Sequence, residues 1–170
     1  MQGETINRRL LSIRREVEAA FGKAEPPKAD QIINSQYPEP LQIRDYFAGK
    51  NWWDITLQGL FGDYIGDASA CLTFMTPIGV EYYLPAYLLM AAELYCGGGI
   101  VTEDFAYRLK RSVMREDLYG MSLYSDEKKK VIVATMGFLW DEYGDEEAFE
   151  AMKEIALRWG EGVRVADGKD

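Results

Sequence analysis

The sequence contains no histidine at all. Histidine is the commonest general base and the commonest zinc ligand, because its ionisation lies close to neutral pH. Its absence excludes Ser-His and Cys-His nucleophilic pairs. The carboxylates Asp54, Asp63, Asp67 and Glu81 lie around the centre of the chain, but their spacing matches no metal-binding motif. The sequence therefore predicts no catalytic residue, no metal site and no cofactor.

Cysteine is scarce, and the only two, Cys71 and Cys96, are isolated in apolar surroundings. This pattern predicts two buried, reduced thiols rather than a disulfide, as is typical inside cells. The opening residues, MQGETINRRL, lack the continuous apolar segment of a secretory signal peptide. We therefore expect the protein to stay in the cytoplasm.

Cationic residues are outnumbered, with 19 Lys and Arg against 28 Asp and Glu and a formal net charge of -9. A negative field of this size repels nucleic acid and anionic lipid and attracts cationic partners. Long apolar runs are missing too: the longest uninterrupted one in the central segment, LPAYLLMAA, is far shorter than the roughly 20 residues that cross a bilayer. The sequence predicts neither nucleic-acid binding nor membrane insertion.

The pattern of apolar residues predicts a mainly α fold, a single-domain bundle of five main helices around a central proline-kinked helix, with little or no strand. The domain is expected to span 1–170, with its core at about 4–160 and a loose tail at 161–170. Each main helix has an apolar stripe or is apolar nearly all round, and most are framed by a capping residue or a glycine. They are predicted at residues 4–21, 76–97, 102–113, 125–143 and 145–159.

Three further segments have weaker signals. Short helices are predicted at residues 41–47 and 55–64. The segment 24–39 is rich in proline and leaves room only for a short turn or strand at 31–34. The run SACLTFM, residues 69–75, has the length of a strand but no clear partner strand, so it is predicted to be an extended connection or a small edge strand.

The central segment, TPIGVEYYLPAYLLMAAEL at residues 76–94, begins with a hydroxyl cap and a proline at the first helical position. Because it is apolar nearly all round, we expect it to lie at the centre of the bundle. Pro85 lacks the N–H that would bond the carbonyl of Glu81 and should kink the helix. An alternative prediction is a half-open ligand groove beside the kink. Its lining would be Glu81, Tyr82, Tyr83 and Tyr87.

Two surface sites are candidates for binding a partner. Trp52 and Trp53 are adjacent, and neighbouring side chains diverge, so one indole is expected to face solvent, where tryptophan is a favoured interface anchor. The acidic segment from Asp141 to Glu147, which we call the acidic joint, connects the last two predicted helices. It fits either as helix caps in a solvated turn or as a negative patch that docks on a basic cleft. The predicted contacts are Trp52, Trp53, Asp141, Glu142, Tyr143, Asp145 and Glu146.

Several stretches taken together resemble an uncharacterised bacterial family of small cytosolic proteins. The stretches are EAAF, a proline-rich turn, YFAGKNWWDI, LTFMTPIGVEYYLPAYLL and YSDEKKKVIVATMGFLWDEY, within residues 10–143. The family motif, F-x-T-P-x-G-x-x-Y-Y-L-P-A-Y, falls on Phe74, Thr76, Pro77, Gly79, Tyr82, Tyr83, Leu84, Pro85, Ala86 and Tyr87. The resemblance implies a small α-rich bacterial protein, similar to members of effector–immunity gene neighbourhoods, and it supplies no catalytic residues.

Two functions are favoured by these observations, and a third, a structural or regulatory homo-oligomer, is neither supported nor excluded by the sequence. The favoured one is a non-enzymatic immunity protein that neutralises a basic, cytosol-acting toxin by occluding its active site. The alternative is a small-molecule binding or catalytic domain that uses the tyrosine groove and Glu81 beside Pro85. A deep pocket with Glu81 shielded from water would favour the alternative, and a filled core would argue against it.

Overall fold

The computed structural model describes residues 2–160, and these residues form helices, short 3-10 turns and loops with no strand. The mainly α fold predicted from the sequence is therefore confirmed. The predicted loose tail, 161–170, lies outside the described residues. Six helices have ten residues or more: α1 (Gln2–Phe21), α3 (Pro38–Phe47), α6 (Pro77–Leu94), α8 (Phe105–Met114), α10 (Asp126–Tyr143) and α11 (Glu146–Trp159).

The sixth long helix, α3, was predicted only as a short one from Leu41. It begins earlier because Pro38 and Pro40 occupy its first turn, where a proline needs no hydrogen-bond partner. Short helices complete the chain: α2 (Ala29–Ile32), α4 (Leu57–Gly62), α5 (Cys71–Phe74), α7 (Ile100–Glu103) and α9 (Glu116–Tyr119). The 3-10 turns are Trp52–Asp54, Ala68–Ala70, Tyr95–Gly97 and Met121–Leu123.

Helix α6 is the centre of the bundle, as the sequence predicts. Thr76 caps it, accepting a hydrogen bond from the N–H of Gly79 at 3.1 Å, and the helix continues through Pro85. Its residues from Tyr83 to Ala92 are all buried. Helix α1 packs against α6 and α10, while α11 packs on both α8 and α10. A helix that is covered on every side has to be apolar on every side, which explains its sequence.

The segment around Thr76 also docks on α2. The N–H of Thr76 donates to the carbonyl of Ile32 at 2.9 Å, and its hydroxyl donates to the carbonyl of Gln31. A Cβ at Gly79 would lie only 3.0 Å from the same Ile32 oxygen, so the approach requires glycine. The Thr-Pro-x-Gly part of the motif therefore performs a packing role. Gln31 and Ile32 end helix α2, and residues 33–34 form a loop rather than a strand.

The segment 69–75 is helical, which corrects the predicted extended connection. The side chain of Asp67 accepts a hydrogen bond from the N–H of Ser69 at 2.9 Å and begins a 3-10 turn that continues directly into α5. Both elements pack against neighbouring helices, α6 and α7 among them, so tertiary contacts rather than strand propensity determine the local structure.

Two further expectations are corrected. Thr102 does not open a helix: it is buried in α7, and its hydroxyl donates to the carbonyl of Tyr95 at 2.7 Å. Helix α8 begins only at Phe105, after Asp104. Both cysteines are free, but only Cys71 is buried. Cys96 is exposed, because it follows α6 in a 3-10 turn at the surface.

Candidate functional site

The acidic joint lies where α10 ends and α11 begins, and α1 reaches across to it. Arg9 of α1 donates to the Asp141 carboxylate at 2.9 Å and contacts the Glu142 carboxylate as well. The Arg9 guanidinium also lies over the ring of Phe138, 5.1 Å from its centroid. The Asp141 side chain remains 55% exposed, whereas that of Glu142 is 18% exposed. One arginine therefore holds two carboxylates in place at the surface.

Asp145 and Tyr143 build the joint from the inside. The Asp145 carboxylate caps α11 by accepting from the N–H of Ala148 at 3.1 Å and also accepts from the Tyr95 hydroxyl at 3.1 Å. The Tyr143 ring stacks on Tyr95 with centroids 4.3 Å apart, and its hydroxyl donates to the carbonyl of Ala92 at 3.2 Å. Asp145 is buried and Tyr143 is half-buried, so both hold the joint together rather than presenting themselves to a partner.

The charges of the joint are only partly compensated. Its five carboxylates have two cationic partners within residues 2–160, Arg9 for the first pair and Lys110 for Glu147. Glu146 is exposed and has no ion-pair partner in that range. The two cations therefore leave three of the five negative charges of the joint unmatched. These three charges equal a third of the formal net charge of -9.

The two tryptophans differ in how deeply their side chains are buried. Trp52 is only 2% exposed, and its indole N–H donates to the carbonyl of Gly22 at 2.8 Å, at the end of α1. Trp53 is half-buried, with the Lys23 ammonium 5.7 Å from its ring centroid. The two indoles do not diverge but contact each other edge to face, with ring centroids 5.7 Å apart. The role of Trp52 as a contact residue is corrected, because its side chain is in the core.

The structure does not bring Trp53 and the acidic joint together. Arg9, which contacts the joint, lies about 18 Å along α1 from its last residue, Phe21, at the usual rise per residue, and Lys23, which contacts Trp53, follows after that helix end. The candidate contacts thus form two separate groups. The acidic joint is the one in which several of the predicted residues meet.

The expected groove beside Pro85 is filled. Tyr83 and Tyr87 are buried, and their hydroxyls donate to backbone carbonyls: Tyr83 to Phe47 at 2.8 Å and to Lys50 at 3.0 Å, and Tyr87 to Ala68 at 3.1 Å. Burial raises the pKa of both phenols, so they are held in the neutral form. These hydroxyls tie α6 to neighbouring loops and cannot reach a ligand.

The other two groove residues are also engaged. The Tyr82 hydroxyl donates to the carbonyl of Ala24 at 2.8 Å. The carboxylate of Glu81 is 42% exposed and accepts from the ammonium of Lys128 at 2.6 Å, so it is not shielded from water. A cavity of about 20 Å³ adjoins Tyr87, which is room for about one water molecule. The three tyrosines predicted to line a ligand groove therefore form packed structure, and Glu81 forms an ion pair at the surface.

A different groove went unnoticed in the sequence. Arg108, Arg111 and Arg115 line it, at intervals of three and four residues along and just beyond α8. Such intervals place side chains on one face of a helix. The spacing R-x-x-R-x-x-x-R in the sequence could have indicated this groove, but a net charge of -9 favours carboxylates as the candidate binding residues. Within residues 2–160 no group of three or more Cys, Asp or Glu side chains is arranged to hold a metal ion.

Comparison with protein families, with curated proteins and with solved structures finds no match for this chain. In the described part of the chain, no helix combines the length and the apolar character needed to cross a membrane. The site has therefore to be interpreted from its own geometry.

Proposed function

We propose that this chain is a non-enzymatic binding protein, an immunity protein of the bacterial cytoplasm that neutralises a basic toxin by covering its active site. The observation that carries the proposal is the acidic joint, where five carboxylates meet only two cations within residues 2–160 and three negative charges stay unmatched. A cationic cleft on a partner would supply the missing charges. The resemblance of residues 10–143 to small proteins from effector–immunity neighbourhoods agrees with this proposal.

The rigidity of the joint supports a binding role. The Arg9 bridge, the cap formed by Asp145 and the stacking of Tyr143 on Tyr95 fix the two helix ends before any partner arrives. A prearranged charge pattern loses little conformational entropy on binding. It also steers the encounter of oppositely charged proteins and raises the association rate.

The state of the core groups argues against nucleophilic or acid–base chemistry in the interior. Burial raises the pKa of the Cys71 thiol to about 11, which keeps it protonated and unreactive near neutral pH. Tyr83 and Tyr87 are likewise held neutral, and their hydroxyls are committed to backbone carbonyls.

The first test is to purify this chain together with the toxin encoded by the neighbouring gene and to ask whether it protects growing cells. The double variant Asp141→Asn/Glu146→Gln keeps side-chain size and removes two exposed charges of the joint. We expect its association rate to fall by about tenfold at low salt, with a smaller change in the dissociation rate.

The matched control is Glu25→Gln/Asp30→Asn, which removes the same charge from exposed positions that have no ion-pair partner among residues 2–160. A general charge effect would slow both double variants equally, which would contradict docking through the acidic joint. Absence of complex formation with the neighbouring toxin, together with absence of growth protection, would reject the immunity function itself.

A further inference from the structure

A groove of about 400 Å³ lies along α8 on a part of the surface distinct from the acidic joint, and we call it the arginine groove. The only charged side chains that line it are three arginines, and no carboxylate does. Its lining residues are Thr73, Tyr107, Arg108, Arg111, Ser112, Arg115, Leu118 and Tyr119. In a chain of net charge -9, such a positive lining is a marked local reversal of sign.

The outer two arginines are neutralised, but the middle one is not. Arg108 Nε lies 2.8 Å from the Asp104 carboxylate, and Arg115 pairs with Asp117 at 3.1 Å. Arg111 has no carboxylate partner within residues 2–160. Its Nη1 donates to the hydroxyl of Tyr107 at 3.0 Å, and its guanidinium lies 5.7 Å from the centroid of the same ring.

The arrangement carries an energetic cost in the absence of an anion. Arg111 is three residues from Arg108 on α8, an interval at which like charges on a helix repel, and Arg115 follows directly after the helix end. The negative end of the α8 dipole offsets part of this repulsion, since Arg111 lies in the last turn. An anion bound in the groove would remove the remaining repulsion between the arginines and accept hydrogen bonds from the free guanidinium donors.

The size of the groove limits the anion. Its volume lies within the range of small-molecule sites. An apolar cavity of about 20 Å³ lies below the arginines, and Thr73, Arg108 and Ser112 line it as well as the groove. This cavity has room for about one methyl group, so a larger part of a ligand has to stay in the groove itself. The field of the whole chain opposes a polyanion such as nucleic acid.

We propose that the arginine groove binds a small phosphate monoester, with Arg111 as the principal phosphate ligand. A guanidinium presents its donors in a planar fork that matches phosphate oxygens. A tetrahedral phosphate offers three terminal oxygens, one more than a carboxylate, to three guanidinium groups on one wall. The rings of Tyr107 and Tyr119 line the same groove and can cover the organic part of the ligand.

The experiment is a titration of the purified chain, followed by calorimetry and by amide chemical shifts, at neutral pH and low salt. The probes are inorganic phosphate, phenyl phosphate and malonate. We expect phenyl phosphate to bind most tightly, with shift changes confined to residues of the groove. The variant Arg111→Gln should weaken binding by at least about tenfold, as is typical for loss of a charged hydrogen bond.

Two further variants test whether the affinity depends on the planar guanidinium of Arg111, on its charge alone, or on the net charge of the chain. Arg111→Lys keeps the charge but loses the planar fork, so we expect affinity between those of the wild type and Arg111→Gln. Arg15→Gln removes an equal charge from an exposed position on α1 and should leave the affinity within about twofold of the wild type. Circular dichroism of each variant checks that the fold is intact.

Three results would overturn the inference: no saturable binding of phenyl phosphate, tighter binding of malonate than of either phosphate probe, or equal losses from Arg111→Gln and Arg15→Gln. The second would reassign the groove to dicarboxylates, and the third would reduce the effect to general electrostatics. The measurement requires no toxin, so its outcome is independent of the proposed immunity function.

Discussion

Replacing Gly79 by alanine tests whether close packing at the start of α6 determines the stability of this fold. In a helix interior, glycine to alanine normally stabilises a protein by about 1 kcal/mol, because alanine loses less backbone entropy. At this position the new Cβ would lie 3.0 Å from the carbonyl oxygen of Ile32 and 3.1 Å from the Cβ of Met75. The first of these is a backbone atom and cannot rotate away.

The magnitude follows from the two opposing effects. Overpacking of this kind costs about 1–3 kcal/mol. Moving α2 away would also weaken the 2.9 Å hydrogen bond from Thr76 to Ile32, which contributes about 1 kcal/mol. After the propensity gain is subtracted, Gly79→Ala should lower the free energy of unfolding by about 1–2 kcal/mol.

Gly137 provides a matched control within α10. An alanine Cβ there would meet only the sulfur of Met152, at 3.7 Å, which is an ordinary van der Waals distance. Gly137→Ala should therefore raise the free energy of unfolding by up to about 1 kcal/mol. Urea unfolding followed by tryptophan fluorescence measures both, with a midpoint shift of about 0.5 M for each kcal/mol at a typical slope. If Gly79→Ala stabilised the protein as Gly137→Ala does, the close approach of α2 to α6 would be refuted.

Three further outcomes are expected. Tyr83→Phe should lower the free energy of unfolding by about 1–2 kcal/mol in the same urea assay, because a buried carbonyl loses its donor; an unchanged midpoint would contradict that role. In the folded protein a thiol reagent near neutral pH should modify Cys96 but not Cys71, and both in denaturant; rapid reaction of two thiols would contradict the burial. Burial and the neighbouring Asp145 raise the pKa of Tyr95 from 10.0 to about 12. The neutral phenol therefore stabilises the fold below pH 10, and this contribution is lost as the pH rises through 12. The free energy of unfolding of Tyr95→Phe, measured by urea midpoints, should decline less across that interval than that of the wild type.

The parts of the fold that sequence analysis predicted correctly depend on local chemistry. Thr76, Ser125 and Asp145 cap their helices, because a side-chain oxygen reaches an N–H three residues on without help from the rest of the chain. The continuous apolar character of α6 predicted its central position for a similar reason. The acidic joint is likewise a local feature, since its carboxylates are close in sequence.

The parts that were missed depend on contacts between distant segments. Trp52 is buried because its indole finds the carbonyl of Gly22, 30 residues away, and no local pattern encodes that contact. The segment around Cys71 looks strand-like but is helical, because α6 and other helices cover it. Tyr83 was predicted to line a half-open groove, whereas its hydroxyl lies within hydrogen-bonding distance of the carbonyls of Phe47, the last residue of α3, and of Lys50 in the following loop.

The bridge from Arg9 to the end of α10 has a consequence for the order of events on the ribosome. The residues of α10 that Arg9 binds are synthesised about 120 residues after α1 is complete, a delay of roughly 6–24 s at ordinary translation rates. During that time the apolar stripe of α1 has not yet met one of its two packing partners. The nascent chain therefore carries an amphipathic helix in need of protection, and the acidic joint takes its final form only when that helix docks.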